Sequence, residues 1–205
     1  MAGEDDRERW NERYSGPGYR FGTAPNPFLA AQQHRLKPGQ SAFAVADGEG
    51  RNGVWLAEQG LDVLAVDFAP AAQAKAKALA AERHVRMRFQ LADLKEWRWE
   101  PARFDIVVGI LIQFTKPPER KIMFEGFKTT LKRGGLLILQ GYRTEQIHHK
   151  TGGPPFVENL YSEDMLRRDF ADMRILHLVS HDDPVDVVAR QGGIAALIDL
   201  VAEKP

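Results

Sequence analysis

The chain has 205 residues and a formal net charge of zero, because 28 basic side chains balance 28 acidic ones. This balance gives no electrostatic reason to expect nucleic acid, an anionic membrane or an acidic partner. The sequence contains no cysteine, which excludes disulfides, thiolate metal sites, iron–sulfur clusters and a cysteine nucleophile. We expect a single domain over residues 1–205, since this length supports one substantial core.

The N-terminal sequence MAGEDDRERW is charged and has no apolar stretch, and no later run reaches the roughly 18 apolar residues that a membrane span requires. We therefore expect a cytoplasmic protein. Trp10 and Tyr14 have helical spacing, which is typical of the core face of an N-terminal helix. Residues 1–35 are predicted to form a helical segment ahead of the first strand.

Five short apolar runs then alternate with segments of helical length, a pattern typical of βα units and a mostly parallel sheet. The predicted strands are SAFAV (41–45), LDVLAV (61–66), VRMRFQL (85–91), FDIVVGI (104–110) and GLLILQGY (135–142). The predicted helices are GRNGVWLAEQG, PAAQAKAKALAAERH and PPERKIMFEGFKTTLKRGG. The third of these would stop at Gly134 and Gly135, with Lys132 and Arg133 at its negative end.

The pattern changes after the fifth strand. A short helix, SEDMLRRDF (162–170), precedes two β-like runs, MRILHLVS (173–180) and GIAALIDLVAE (193–203). An HDDPVD loop joins these runs, so they are predicted to form an antiparallel hairpin. The expected fold is a Rossmann-like, doubly wound α/β fold with a mostly parallel seven-stranded sheet and this C-terminal antiparallel hairpin.

The stretch VADGEGRNG (45–53) places Gly48, Gly50 and Gly53 between a strand and a helix. Their spacing fits the GxGxxG pattern of dinucleotide-binding proteins. Glycines let the backbone turn sharply and approach a ligand, and the amides of a helix start favour a negatively charged group. A pyrophosphate and an amino-acid carboxylate both suit this geometry, so the turn alone leaves the cofactor open.

Two acids follow the next two strands. Asp67 comes 19 residues after Gly48 and could accept hydrogen bonds from both ribose hydroxyls of an adenosine, or cap the helix that follows. Asp93 follows the third strand, where it could accept from the exocyclic amine of adenine while the backbone near Leu94 meets the ring. One acid that can bind the ribose and a second that can recognise the base favour a small adenosine ligand. We find no clear nicotinamide site.

The sequence resembles the class I S-adenosylmethionine-dependent methyltransferases, especially the branch of tellurite-resistance and thiopurine methyltransferases. The resemblance is carried by ADGEGRN, AVD, ADL and the glycine pair before the fifth strand, and it runs from WNERYSGPGYRFGTAPNPFL to TGGPPFVENLYSEDMLRRDF. It implies methyl transfer from S-adenosylmethionine to a small-molecule acceptor such as a thiol or a chalcogen oxyanion.

The resemblance also implies which residues bind the cofactor, in an N-terminal segment that closes over it, in the glycine turn and at the ends of the strands. These residues are Trp10, Tyr14, Phe21, Gly22, Ala46, Asp47, Gly48, Glu49, Gly50, Asn52, Asp67, Phe68, Asp93, Leu94, Gly109 and Ile110. For the acceptor side we predict Gln113, Tyr142 and His148, which follow the fourth and fifth strands. No catalytic residue is assigned, and no spacing supports a metal site.

Two positions depart from the family pattern. Ala44 stands where the family has an acid, and Ala46 stands where it has its first glycine. The missing acid removes an indirect partner for the ammonium group of the cofactor, and Asp47 could replace part of that charge. Two alternatives therefore stay open: a nicotinamide-dependent oxidoreductase, favoured by the GxGxxG spacing, and a catalytically degenerate protein that binds S-adenosylmethionine.

Overall fold

The computed structural model describes residues 2–149, 151–184 and 193–205, with side chains from Asp6 onward. The chain divides into two compact units, Met1–Trp97 and Arg98–Pro205, and the single-domain assignment stays a prediction. No helix in the described ranges is long and apolar enough to cross a membrane, and the cytoplasmic location likewise stays a prediction.

The first unit contains three parallel strands, β1 (Ser41–Val45), β2 (Asp62–Asp67) and β3 (Arg88–Leu91), in the spatial order β3-β2-β1. Its helices are α1 (Ala2–Ser15), α2 (Pro27–Ala31), α3 (Arg51–Glu58) and α4 (Pro70–Glu82). Strands β1 and β2 are almost continuously aliphatic and buried, as expected for parallel strands covered on both faces.

Alanines on α4 let neighbouring elements approach this helix closely. Ala72 packs with Tyr14 of α1, and Ala80 packs with Val54 of α3. Because alanine adds only a methyl group, α4 can lie close to both α1 and the start of α3. These contacts hold the N-terminal segment against the strand ends that carry the glycine turn and Asp67.

The second unit contains β4 (Phe104–Ile110), β5 (Leu131–Tyr142), β6 (Arg174–Pro184) and β7 (Ile194–Glu203), with α5 (Pro117–Thr130) and α6 (Glu163–Asp169). Strand β5 pairs with β4 in parallel and with β7 antiparallel, and β6 pairs antiparallel with β7. The chain thus has the predicted seven-stranded Rossmann-like sheet with an antiparallel C-terminal pair, and the fold class is confirmed.

The third predicted helix ends earlier in the structure than the sequence interpretation placed it. Helix α5 ends at Thr130, and Lys132 and Arg133 belong to β5, because Leu131 is already extended and pairs with Phe104. Lys132 forms an ion pair with Asp105 of β4 instead of complementing the helix end. The carbonyl end of α5 receives hydrogen bonds from the ammonium of a distant residue, Lys204, which no local pattern predicts.

Two further boundaries differ from the sequence prediction. Strand β3 begins at Arg88 instead of residue 85, because only residues 88–91 pair with β2. Four residues of the predicted HDDPVD loop, His181–Pro184, extend β6 through their pairing with β7. The last two residues of that loop lie outside the described residues.

Candidate functional site

The glycine turn between β1 and α3 has a left-handed backbone at two positions. Gly48 has a φ of +60° and Gly50 a φ of +90°, a region that glycine adopts without steric cost. A Cβ on Gly50 would lie 2.8 Å from the Cα of Ala76, and one on Gly48 would lie 3.0 Å from the hydroxyl of Tyr14. Both glycines therefore permit the turn itself and the close approach of neighbouring elements.

Asp67, at the end of β2, is bound directly to this turn. Its Oδ2 accepts from the N–H of Gly48 at 2.9 Å, and its Oδ1 accepts from the N–H of Ala69 at 2.9 Å. Burial raises the pKa of Asp67, although the hydrogen bonds from these amides oppose that rise. Asp67 is not the N-cap of α4, because the cap position is Ala69.

Asp47 explains the third glycine of the GxGxxG spacing. Both carboxylate oxygens of Asp47 accept from the N–H of Gly53, at 3.0 and 3.2 Å. A Cβ on Gly53 would lie 2.3 Å from Oδ2 of Asp47, so glycine is needed there to admit the chain's own carboxylate. Burial raises the pKa of Asp47 to about 7, against the lowering effect of the Gly53 amide, and the charge of Asp67 adds to the rise.

A small cavity of about 10 Å³ lies beside these two carboxylates, and Gly48, Gln73 and Phe89 also line it. The Nε2 atom of Gln73 is buried and has no hydrogen-bond partner among the described residues. Carboxylates can accept from ribose hydroxyls, an amide N–H can donate to a polar ligand atom, and Phe89 offers an apolar wall. This donor and acceptor set suits the adenosine portion of S-adenosylmethionine.

The aromatic residues of the N-terminal segment form one cluster beside the glycine turn. Trp10 stacks on Tyr14 with 5.5 Å between ring centroids, and Phe21 meets Tyr14 edge-on at 6.5 Å. Tyr14 is buried, and burial together with nearby carboxylates raises the pKa of its hydroxyl. The structure thus brings the predicted N-terminal residues to the turn, while their contact with a cofactor stays a prediction.

An ion pair ties the loop after α1 to the same turn. Glu49, 4% exposed, pairs with the ammonium of Lys75 at 2.8 Å and accepts from the N–H of Arg20 at 2.7 Å. The Lys75 ammonium also donates to the carbonyls of Gly16 and Gly18. Sequence reasoning named Glu49 as a cofactor contact and missed Lys75, whose place in an alanine-rich helix gives no local signal.

The remaining predicted residues of the first unit have identifiable structural partners. Oδ1 of Asn52 accepts from the N–H of Asn26, the N-cap of α2. In the turn after β3, Oδ1 of Asp93 accepts from the N–H of Lys95. Leu94, between these two residues, is buried. Phe68, directly after Asp67, is partly buried. Their cofactor contacts also stay predictions.

The second unit brings Gln113 and Tyr142 together. The Nε2 atom of Gln113 donates to the carbonyls of Tyr142 and Asn159 at 2.7 and 3.1 Å, and its Oε1 accepts from the N–H of Tyr142. The side chain of Gln113 is therefore fully used by backbone partners. His148 is exposed at the end of the 3₁₀ turn Thr144–His148, and its role as an acceptor contact stays a prediction.

Gly109 and Ile110 form the carboxyl end of β4. A Cβ on Gly109 would lie 2.7 Å from the Cδ1 atom of Ile112, so packing within the unit by itself accounts for this glycine. Leu111, the next residue, has a φ of +57°, which is strained for a bulky side chain. Contact of Gly109 and Ile110 with a cofactor stays a prediction.

One protein family matches part of the chain. Residues 43–135 match the family described as a methyltransferase domain. No curated protein sequence matches the chain. The matched range begins in β1 and extends into β5, so it includes the glycine turn, Asp67 and Asp93.

Solved structures share the fold over nearly the whole chain. One, described for the conversion of a disulfide bond into a thioacetal group during echinomycin biosynthesis, has a TM-score of 0.75 at 19% identity and covers 97% of this chain and 92% of its own. TehB from Haemophilus influenzae has a TM-score of 0.72 at 14% identity, covering 97% of this chain and 67% of its own. The N-methyltransferase NodS from Bradyrhizobium japonicum WM9, in complex with S-adenosyl-L-homocysteine, has a TM-score of 0.71 at 12% identity, covering 97% and 98%.

Both comparisons agree with the resemblance found in the sequence. Residues 43–135 match a methyltransferase domain, and the chain shares its fold with solved structures that include the N-methyltransferase NodS. The GxGxxG spacing that favoured a nicotinamide cofactor is explained by the contact between Gly53 and Asp47.

Proposed function

We propose that this protein is a class I S-adenosylmethionine-dependent methyltransferase that modifies a small-molecule acceptor, with thiols and chalcogen oxyanions as the first classes to test. The observation that carries the cofactor half of the proposal is the hydrogen bond between Asp67 and Gly48, which holds the ribose-binding acid against the glycine turn. The sequence resemblance to the tellurite-resistance and thiopurine branch supports the choice of acceptors.

In this proposal Asp67 accepts from the ribose hydroxyls, and Asp93 with Leu94 flanks the adenine. Gly48 and Gly50 allow the methionine portion to approach the backbone, while Trp10, Tyr14 and Phe21 shield it from water. The negative charges of Asp47 and Asp67 favour a cationic ligand over a neutral one. This preference suits a sulfonium cofactor.

S-adenosylmethionine, when bound, supplies a methyl group on a positively charged sulfur, which is already a strong electrophile. The protein's contribution is then alignment and exclusion of water, an effect that can lower a barrier by about 7–11 kcal/mol. An ionised sulfur, selenium or tellurium acceptor needs no general base, whereas an oxygen or nitrogen acceptor requires a proton to be removed. We therefore propose the soft acceptors first.

Calorimetric titration tests the cofactor assignment. S-adenosylmethionine and S-adenosylhomocysteine should bind, and NAD and NADP should not. Transfer of a labelled methyl group to a panel of thiols, tellurite, selenite and small amines then tests the acceptor. Binding of a nicotinamide cofactor alone would overturn the proposal, and transfer to amines but not to thiols or oxyanions would overturn the choice of acceptor.

A second candidate is a protein that binds S-adenosylmethionine without transferring its methyl group. Ala46 motivates it, because this residue holds a φ of +46° at the position where the family has glycine, so its methyl group lies in the turn. A single turnover of bound cofactor above the background rate excludes this candidate.

A further inference from the structure

The second unit contains a cluster of buried polar side chains that the proposed cofactor site does not use. Its members are Thr115, Arg120, Asn159 and Tyr161, none more than 7% exposed. Thr115 precedes α5 and Arg120 lies in its first turn, while Asn159 ends the 3₁₀ turn Val157–Asn159 and Tyr161 follows that turn. We call this set the Arg120 cluster.

The segments of the Arg120 cluster are fixed by hydrogen bonds. Gln113 donates to the carbonyl of Asn159 at 3.1 Å, and Asn159 returns a hydrogen bond from Nδ2 to the carbonyl of Gln113 at 3.4 Å. The N–H of Tyr161 donates to the carbonyl of Tyr142 at 2.9 Å. The cluster is therefore preorganised by the same residues that sequence reasoning predicted for the acceptor side.

Arg120 is a buried cation. One of its terminal nitrogens donates to the carbonyl of Glu158 at 2.6 Å, and its Cζ lies 5.8 Å from the centre of the Tyr161 ring. Within the ranges that the structure describes, it forms no ion pair with a carboxylate. A guanidinium carries five N–H donors, and burying it without an anion is costly.

Three further polar atoms of the cluster have no hydrogen-bond partner in the described part of the chain: Oγ1 of Thr115, Oδ1 of Asn159 and the hydroxyl of Tyr161. Burial raises the pKa of Tyr161, so its hydroxyl is neutral and can donate. Hydroxyl groups and a guanidinium are donors that bind the lone pairs of a carboxylate. Oδ1 of Asn159 can accept from a neighbouring N–H or O–H of the same ligand.

We propose that the Arg120 cluster binds the carboxylate group of the methyl acceptor, so that the acceptor is an organic anion. This inference rests on the proposed function, and of the two acceptor classes proposed there it favours thiols over chalcogen oxyanions. Exposed apolar side chains stand on the same segments, with Phe114 37%, Phe156 54% and Val157 52% exposed. They favour a carboxylate attached to an apolar body over an inorganic ion.

Titration of the full chain with benzoate, acetate and sulfate at constant ionic strength tests the proposal. Benzoate should bind saturably, more tightly than acetate, and should shift the Nε–Hε resonance of Arg120 in the wild-type protein. Arg120→Met should weaken benzoate binding by about tenfold or more, as expected for loss of charge-assisted hydrogen bonds. Arg167→Met, on the exposed face of α6, is the matched control and should leave binding unchanged.

Two isosteric variants separate ligand binding from a structural role. Thr115→Val and Tyr161→Phe remove hydroxyls without internal partners, so each should leave the melting temperature unchanged or raised and weaken benzoate binding severalfold. If internal water satisfies these atoms instead, both variants will lower the melting temperature and leave the benzoate titration unchanged. That result would overturn the proposal.

Titration with S-adenosylhomocysteine on the same samples keeps this test distinct from that of the proposed function. The four variants should retain wild-type affinity for S-adenosylhomocysteine. Failure of the wild type to bind it would count against the proposed function only. Absence of a benzoate-induced shift at Arg120, or tighter binding of sulfate than of either carboxylate, would overturn the carboxylate site.

Discussion

In the first unit two carboxylates, Asp47 and Asp67, accept hydrogen bonds from backbone amides. In the second unit the buried guanidinium of Arg120 donates to one carbonyl within the described residues. The carboxylates of the first unit are hydrogen-bonded within the chain, and their charge is negative. The guanidinium of the second unit uses only some of its N–H donors, and its charge is positive.

The difference means that the first unit holds its carboxylates in place without a ligand, whereas the second unit has N–H donors left over for one. Carboxylates already held by amides keep their geometry without a ligand, and they can still accept further hydrogen bonds through unused lone pairs. A buried cation with spare donors gains most from an incoming anion. The comparison therefore predicts a cationic ligand for the first unit and an anionic one for the second.

Asp67→Ala tests the first unit most directly and has the largest expected effect. Loss of hydrogen bonds from two ribose hydroxyls to a charged acceptor should weaken S-adenosylhomocysteine binding by about 100-fold. Calorimetry measures the affinity, and circular dichroism checks that the variant is folded. Unchanged affinity in a folded variant would show that the acid of the first unit is misassigned.

Gln113→Met tests the hydrogen bonds within the second unit. It removes the side-chain hydrogen bonds with Tyr142 and Asn159, so the free energy of unfolding should fall by about 2–3 kcal/mol. Affinity for S-adenosylhomocysteine should not change in the folded variant. Denaturant unfolding measures the first quantity, and Gln33→Met, an exposed position, is the control.

Lys75→Met tests how the N-terminal segment is held at the glycine turn. It leaves the buried carboxylate of Glu49 without its cation and two loop carbonyls without a donor, so stability should fall by about 2 kcal/mol. Amide exchange in residues 16–22 should rise. Lys77→Met, exposed on the same helix, should change neither quantity.

Asp47→Asn tests the charge of the first unit through pH. Because the pKa of Asp47 is about 7, its negative charge develops as pH rises through neutrality. Affinity for S-adenosylmethionine, which has one more positive charge than S-adenosylhomocysteine, should rise relative to the latter by up to about tenfold. The variant should lose this pH dependence, and Asp93→Asn should retain it.

The same residue contributes to the pH dependence of stability. A carboxyl whose pKa is raised from 3.8 to about 7 on folding favours the folded state at low pH, and this contribution is lost as pH rises between these values. Asp47→Asn should therefore increase stability more at about pH 8 than at about pH 5. Equal effects at both pH values would show that the carboxyl is not desolvated.

Ala46→Gly has the smallest expected effect. A left-handed alanine costs roughly 1–2 kcal/mol, and the greater flexibility of unfolded glycine offsets part of the gain, so stability should rise by up to about 1 kcal/mol. Ala44→Gly, in the interior of β1, is the control and should destabilise. A loss of stability in Ala46→Gly would contradict the strain at this turn.

Sequence reasoning was most accurate where local pattern and tertiary structure agree. Strands β1 and β4 have the predicted bounds, because an uninterrupted apolar run between turn residues has few alternative conformations. Helix α4 begins at Pro70 as expected for a proline in the first turn. The end of α5 was wrong, because pairing of Leu131 with Phe104 outweighs the local preference for helix.

The sequence by itself determined the sheet class, the glycine turn and the acids at the strand ends, because these follow from hydrophobic period and from short-range backbone requirements. Only the tertiary structure decided which group each polar side chain contacts. The pairing of Lys75 with Glu49, the contact of Asp47 with Gly53 and the isolation of Arg120 depend on which surfaces become buried together. Lys75 lies 26 residues from Glu49, and Arg120 lies 38 residues from the carbonyl that it contacts, so neither contact leaves a local signal in the sequence. Asp47 and Gly53 are only six residues apart, but their contact depends on how the glycine turn folds.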